Sequence, residues 1–342
     1  MTTSQEAVVG VDVPALRRYF EHHVPDFTGQ LRIALLQGGR SNLTYDVADG
    51  THRWVLRRPP LGVLTPTAHD MDREYRVVAA LGDSGVPVAG AVLSCTDAEV
   101  IGAPFCVVDF VEGTVLRDGD RATELPPADA RSAAEALVDA LVALHSVDAA
   151  AVGLGDFGRP DGYLERQVRR WRGQWDKVAT RTLPDVDELH RRLARALPAS
   201  GAPTIVHGDY RLDNTILAPG DFGRIAAIVD WEMATLGDPL ADLGMLLMYW
   251  DATCEPVLGA RHVPTANSGF PSGQELAERY AAQSGRDIQS LHCYQALACF
   301  KLAVIAEGIH ARYAAGQTVG TGFERVGSAV PALLNSGLEL LS

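Results

Sequence analysis

Lysine is almost missing from this chain. Only two of its 30 basic residues are lysine, Lys177 and Lys301; the others are arginine. A site that needs a fixed cation must therefore rely mainly on guanidinium, which meets phosphate and carboxylate as a planar fork and not as a point charge. Basic residues are also outnumbered by 43 acidic ones, for a net charge of −13. That balance argues against nucleic acid, whose binding rests on basic patches, and against an anionic membrane surface. Cysteine is scarce: Cys95, Cys106, Cys254, Cys293 and Cys299 form no C-x-x-C pair and no His/Cys zinc spacing. Their odd number speaks against a disulfide framework and for buried free thiols in a reducing compartment. No apolar run approaches the roughly 18 residues of a membrane span. The first residues, MTTSQEAVVGVDVP, lack the basic start and apolar stretch of a signal peptide. The expectation is a soluble, cytoplasmic protein with no membrane or nucleic-acid partner. At 342 residues it is long enough for two lobes.

What the chain does carry is concentrated between His207 and Glu232. A His-Gly-Asp turn is followed by Asn214, five places after Asp209, and then by an apolar run, Ile225–Val229, ending at Asp230. A carboxylate on a tight turn can accept a proton from an attacking hydroxyl. An Asn amide oxygen and a second carboxylate are hard oxygen ligands of the kind Mg2+ takes. Positioning and charge neutralisation are what phosphoryl transfer requires. The spacing equals that of the H-R-D-L-x-x-x-N loop of protein kinases, with Gly208 in the place of Arg. As a bare hairpin, the same polar residues would only cap turns.

Upstream, Asp12 to Val24 reads as an amphipathic helix capped by Asp12 before Pro14, with Leu16, Tyr19 and Phe20 at helical spacing. Leu31–Leu36, Leu43–Val47 and Arg53–Arg57 read as antiparallel strands, joined by a glycine loop at 37–42 and an Ala48-Asp-Gly50 turn. Backbone N–H groups of Gly38-Gly39-Arg40-Ser41-Asn42 can cradle phosphates, and glycine lets a backbone come close to a ligand. A two-glycine hairpin is also an ordinary turn. Strand alternation puts Val55 and Arg57 on one face and Trp54 and Leu56 on the other, with Arg58 expected to face solvent. His69–Leu81 reads as a helix that turns Val77, Val78 and Leu81 inward and carries Glu74. Pro87–Ser94 and Pro104–Val111 complete a sheet of about five strands.

Downstream, Pro126–Val147 reads as a long helix whose stripe includes Leu137, Leu141, Leu144 and His145, the last as a packed histidine. Asp161–Lys177 places Trp171 and Trp175 on one face. Its arginines between 166 and 172 make either a solvated face or a rim for an anionic or acyl substrate. Asp238 caps a helix beginning at Pro239. Asp251–Phe270 reads as a loop of about twenty residues. Helices follow at Ser272–Ser284, Ile288–Ala314 and Phe323–Leu341, with Lys301 and Glu307 expected to see the acceptor.

Three stretches together carry a family resemblance: His207-Gly-Asp209-x-x-x-x-Asn214, Ile228-Val-Asp230-Trp-Glu232, and Gly39-Arg-Ser-Asn-Leu-Thr-Tyr45. From about residue 25 to 335 the chain resembles the aminoglycoside phosphotransferase family and its choline-kinase-like relatives. The Arg166-Gln-x-x-Arg170-Trp171 pattern resembles one branch, the kinase-like domains fused elsewhere to acyl-CoA dehydrogenases.

The resemblance implies an α+β, protein-kinase-like two-lobe fold. A small β-rich lobe, 1–111, would bind nucleotide. A hinge near Asp109–Gly113 would lead to a larger α-helical lobe, 112–342, for catalysis and the acceptor, with ATP in the cleft. The implied reaction moves the γ-phosphoryl of ATP to a small-molecule hydroxyl. Asp209 would be the base, and Asn214 and Asp230 the Mg2+ ligands. Gly39, Ser41 and Asn42 would cover the phosphates, Val55 would touch the base, and Arg57 would clamp phosphates with Glu74 as its partner. Asp109 and Val111 would meet the adenine edge, and Asp242 and His207 would brace the catalytic loop. Arg57 stands where Lys is usual in the family, although one branch reads V-L-R-x-P-P here, and this keeps open a second reading, a nucleotide-binding module without catalysis. The acceptor expectation is a hydroxyacyl compound or its CoA thioester, with a link to acyl-CoA metabolism. A polycationic aminoglycoside is the weaker alternative, since Glu255, Glu275, Glu278, Asp287 and Glu307 are scattered. Nothing after Asp230 reads as an Ala-Pro-Glu segment, which argues against a protein kinase.

Overall fold

Asp12 starts the first helix. Its carboxylate accepts the Ala15 N–H at 2.9 Å, and Pro14 lies in the first turn, where a missing N–H costs nothing. The result is α1 (Val13–His23). The computed structural model describes residues 8–36, 42–61, 70–116, 119–258, 263, 266–317 and 322–342. Five strands and one helix follow α1: β1 (Arg32–Leu35), β2 (Leu43–Ala48), β3 (Arg53–Arg58), α2 (Met71–Leu81), β4 (Ala91–Cys95) and β5 (Phe105–Asp109). The strands form one antiparallel sheet in the order β1-β2-β3-β5-β4.

Alternation sorts the two faces of this sheet. Tyr45 and Val47, Trp54 and Leu56, and Phe105 and Val107 point to one side and pack with Leu16 and Phe20 of α1. Removing such side chains from water, at about 25 cal/mol per Å2 of apolar surface, is the main force holding helix to sheet. On α2, which packs against β4 and β5, Met71, Val77, Val78 and Leu81 are buried. Asp70 caps it by accepting the Arg73 N–H.

Arg58 does not face solvent. It shares parity with Trp54 and Leu56, is 5% exposed, and donates to the carbonyls of Gly10, Ile101 (3.2 Å) and Pro59 (3.2 Å). The expectation failed because this face of β3 is the covered one. A guanidinium supplied with carbonyl acceptors can be buried there.

The described residues up to Glu112, together with Ala227–Glu232, form one compact unit; Gly113–Ala226 and Met233–Ser342 form the other. In the first unit the returning segment is held by the Ile228 N–H on the Pro87 carbonyl at 2.8 Å.

The second unit is mostly helical: α3 (Gly119–Glu124), α4 (Pro127–His145), α5 (Tyr163–Val178), α6 (Pro184–Ala196), α7 (Leu240–Tyr249), α8 (Glu255–Leu258), α9 (Gly273–Ser284), α10 (Leu291–Ala314) and α11 (Ala329–Leu340). Short strands β6 (Thr204–Val206) and β9 (Thr235–Gly237) pair with each other, as do β7 (Thr215–Ala218) and β8 (Asp221–Ile228). Helix α10 is buried nearly all round from Leu291 to Gly308, packed on α5, α6, α7 and α11, which is why its sequence lacks a polar stripe. Ser272 and Glu275 form a reciprocal cap at the start of α9.

Three expectations need correction. Helix α6 lies outside the expected elements, although Val186, Leu189 and Leu193 mark its inner face at helical spacing. The last helix begins at Ala329, after a 3-10 turn at Val326–Ser328. The 251–270 stretch is not plain loop: Asp251 caps a 3-10 turn, Ala252–Cys254, that runs into α8. All five cysteines are buried and free. Among the described residues no helix is long and apolar enough to cross a membrane.

Candidate functional site

In the second unit, β6 leads into His207-Gly208-Asp209, and a 3-10 turn, Leu212–Asn214, leads out into β7. Gly208 has φ +83°, and a Cβ there would stand 2.6 Å from the Met233 carbonyl oxygen, so the turn requires glycine twice over. Asp242 on α7 accepts the N–H groups of His207 (2.6 Å) and Gly208 (2.8 Å). Behind it His145 places Nε2 3.2 Å from the same carboxylate and Nδ1 2.8 Å from the Tyr280 hydroxyl. Burial pushes the Asp242 carboxyl up, but the His145 hydrogen bond and charge, with the His207 N–H, outweigh it and hold it below the usual carboxylate range. His145 is thus a packed polar brace.

This bracing presents Asp209, which is partly buried with about a fifth of its side chain open. Its Oδ1 accepts the Tyr249 hydroxyl at 2.7 Å and its Oδ2 accepts Asn214 Nδ2 at 3.1 Å. Arg211 Nε stands 3.5 Å from Oδ2, and the Arg211 guanidinium lies 4.9 Å from the centre of the Tyr249 ring. Burial raises the Asp209 carboxyl. The charges of Arg211 and Lys301 and the Tyr249 hydroxyl overcome that, so it stays below the usual range and ionised at neutral pH. Asn214 also donates to the Asp209 carbonyl at 2.8 Å. With its NH2 group so engaged, the amide oxygen is the atom left to face a cation.

In the first unit, Arg57 bridges two carboxylates. One terminal nitrogen is 3.1 Å from Glu74 and the other 2.8 Å from Asp230 Oδ1. Its Nε is buried with no hydrogen-bond partner among the described residues. Asp230 has φ +68°, a left-handed conformation uncommon for a residue with a side chain and one that tends to mark functional turns. Asn42 Nδ2 donates to Glu74 at 3.0 Å and to Glu232 at 3.2 Å. Burial drives the Glu74 carboxyl up to about 7 against the pull of Arg57, with Asp230 and Glu232 adding to the rise.

The expected residues fall out as follows. Asp209 and Asn214 meet in one unit; Arg57, Glu74, Asn42 and Asp230 meet in the other, and Val55 is half-buried on the Arg57 face. The Asn42 side chain is spent on carboxylates, a role the glycine-loop reading did not contain. Gly39 and Ser41 lie outside the described residues. The Asp109 N–H donates to the Gly90 carbonyl at 2.8 Å, and among the described residues no backbone acceptor takes the Val111 N–H. Glu307 does not face an acceptor: it is fully buried, accepting from Thr180 (2.6 and 2.9 Å) and Arg181 (2.8 Å). Of the basic run, Arg166 ties α5 to the preceding loop by donating to the Arg159 and Asp161 carbonyls, and Arg172 pairs with Asp176 and Asp187. Arg169 and Arg170 are exposed. The sequence reading missed Tyr249, Arg211 and Glu232. The last two sat inside the motif stretch, whereas nothing local to Tyr249 marks it. Among the described residues no three His, Cys, Asp or Glu side chains converge as a metal cluster.

A five-stranded antiparallel sheet with an ion-paired cation on its third strand, followed by a helical unit built around a His-Gly-Asp hairpin, is the protein-kinase-like fold. The model of the APH phosphotransferase enzyme family matches residues 32–294, and the chain belongs to that family. Acyl-CoA dehydrogenase family member 11 of Gallus gallus is 37% identical over 339 residues, and that of Rattus norvegicus 35% over 338. Each alignment takes in 96% of this chain but 43% of the relative, so the chain spans less than half the length of these relatives. A crystal structure of a candidate aminoglycoside phosphotransferase from Ralstonia eutropha JMP134 is similar, with TM-score 0.84 and 32% identity over 97% of this chain and 98% of that one. A thermostable mutant of APH(4)-Ia, solved with AMP-PNP and hygromycin B, shares the fold at TM-score 0.63 and 16% identity, covering 94% of this chain and 99% of its own.

Proposed function

We propose that this chain moves the γ-phosphoryl of ATP to the hydroxyl of a small molecule, with a hydroxyacyl compound, free or as its CoA thioester, as the favoured acceptor. The observation that carries the reading is the set of hydrogen bonds on Asp209. An ionised carboxylate whose two oxygens are fixed can take the acceptor's proton as that oxygen attacks the γ-phosphorus. The new P–O bond forms as the β–γ bridging P–O bond breaks, and ADP leaves with the electron pair.

Residues 1–111 take the nucleotide-binding role and 112–342 the catalytic and acceptor role. Arg57 would give its unpartnered Nε–H to a phosphate oxygen, its fork held in orientation by Glu74 and Asp230. The loop with Gly39 and Ser41 would cover phosphates, Val55 would touch the base, and backbone groups of Asp109 and Val111 would serve the adenine edge. Mg2+ fits the donor set: Asn214 presents an amide oxygen, and Asp230, with Oδ1 on Arg57, retains its other oxygen. Mg2+ usually takes only one or two protein ligands beside phosphates and water. When bound it would neutralise phosphate charge.

The acyl preference is supported by the relatives named acyl-CoA dehydrogenase family member 11 and by exposed Arg169 and Arg170 on α5. ATP use is supported by the AMP-PNP complex of the fold-related APH(4)-Ia. The free thiols suit a cytoplasmic setting. A second reading, a nucleotide-binding module without turnover, is favoured by one observation: the β3 cation is the arginine Arg57, and it contacts Asp230, the proposed metal ligand, directly. An ATP-dependent phosphorylation screen of hydroxylated acyl compounds, run beside Asp209→Asn, separates the two. Transfer that falls by about two to four orders of magnitude in the variant, with Mg·ATP binding kept, is the expected result. Intact Mg·ATP binding with neither transfer nor slow ATP hydrolysis in the unmodified chain would leave the module.

A further inference from the structure

Lys301 is an oddity among the charges of this chain. It is one of only two lysines and sits inside α10 with 7% of its surface exposed. Its ammonium donates to the Gly208 carbonyl and stands 5.5 Å from the centre of the Trp171 ring. Among the described residues no carboxylate lies within ion-pair distance of it. Asp209 and Asp242 attract its charge from farther off, while Arg170 and Arg211 repel it. A buried ammonium without a contacting counter-ion is costly. An uncharged chain of similar length would pack beside Trp171 without that cost, so packing alone does not account for lysine.

What the ammonium touches does account for it. Gly208 sits at φ +83° and, as a glycine, restrains its own peptide planes weakly. Its N–H is held by Asp242 from one direction and its carbonyl by Lys301 from another. A charge-assisted donor holds a carbonyl more firmly than a neutral one.

We propose that Lys301 is a positioning residue for phosphoryl transfer, clamping the Gly208 peptide so that the turn presents Asp209 in one orientation. The inference rests on Asp209 being the base. The Asp242 contact restrains the His207–Gly208 peptide plane, and the Lys301 contact restrains the Gly208–Asp209 plane that leads into Asp209. Small misplacements of a catalytic group cost about a hundredfold in rate.

The test is Lys301→Met in the full chain, which keeps length and apolar volume and removes donor and charge. Turnover of ATP, by transfer or by acceptor-free hydrolysis, should fall about tenfold or more with KM for ATP within about twofold. The melting temperature should hold or rise, because an uncompensated buried charge has gone. Amide hydrogen exchange over residues 204–214 should quicken. A purely structural lysine would give the reverse pattern, so a melting temperature lower by several degrees, or failure to fold, overturns the proposal. Unchanged exchange over 204–214, or kcat within twofold of the unmodified chain, overturns it as well. Asp209→Asn is measured in parallel: if that variant keeps full turnover, the base assignment fails, an outcome separate from any Lys301 result.

Discussion

The Tyr249 hydroxyl donates to Asp209 Oδ1 at 2.7 Å, from the last residue of α7 to a turn forty residues earlier. It is the same O–H to carboxylate contact that an acceptor alcohol would make. With Asn214 on Oδ2, it fixes the plane of the carboxylate. It also helps keep the Asp209 pKa low. Removing the hydroxyl in Tyr249→Phe should raise that pKa, because the ionised form loses a donor. The acid limb of kcat/KM should therefore move to higher pH, and kcat should fall by about three- to thirtyfold. A pH–rate profile checks this; an unmoved acid limb would show that the contact does not act on the base.

Arg57 and Arg58 adjoin in sequence and point to opposite faces of β3. Arg57→Ala should weaken Mg·ATP binding or cut turnover by about tenfold or more, since a charge-assisted contact is worth about 1.5–3 kcal/mol. Arg57→Lys should retain part of the function, a point charge replacing a fork. Arg58→Ala should leave ATP affinity nearly unchanged but destabilise the chain by about 2–4 kcal/mol, stranding buried carbonyls of Gly10 and Ile101. Calorimetry and chemical unfolding on the two variants give the comparison. Equal loss of ATP affinity in both would break the assignment of faces.

Asp230→Ala should abolish the Mg2+ dependence of nucleotide binding. The variant also leaves Arg57 its ion pair with Glu74, so metal-free nucleotide binding should persist. Titration calorimetry with and without Mg2+ measures both. The same Mg2+ enhancement in the variant as in the unmodified chain would remove Asp230 from the metal.

Glu74 makes the first unit sensitive to pH. Its folded carboxyl holds a proton up to about 7, whereas an unfolded chain releases it near about 4.3. Between those values the folded state binds more protons, so stability falls as pH rises from about 5 to 7 and levels off above. Glu74→Gln should flatten that slope and raise the melting temperature more at pH 8 than at pH 5. Melting curves across this range decide it; an unchanged slope would mean that Glu74 is ionised throughout.

Residue order alone carried much of this protein. The His-Gly-Asp spacing, the apolar run ending at Asp230 and the glycine-rich link between the first strands are local patterns, and local patterns persist in sequence. Alternation along β3 put Arg57 opposite Trp54, because the side-chain period of a strand is a property of the backbone. Helical spacing placed Leu16 and Phe20 on the buried face of α1 for the same kind of reason. What parity cannot say is which face is covered, and Arg58 went astray on that point: α1 closes the face that looked free. Tyr249, Lys301 and Glu307 likewise owe their partners to helices brought together from distant parts of the chain. A tyrosine or lysine in an apolar run reads as packing until the fold sets a carboxylate or a carbonyl against it. The raised carboxyl of Glu74 has the same origin, since desolvation by surrounding elements is a property of the packed unit and not of any stretch of residues.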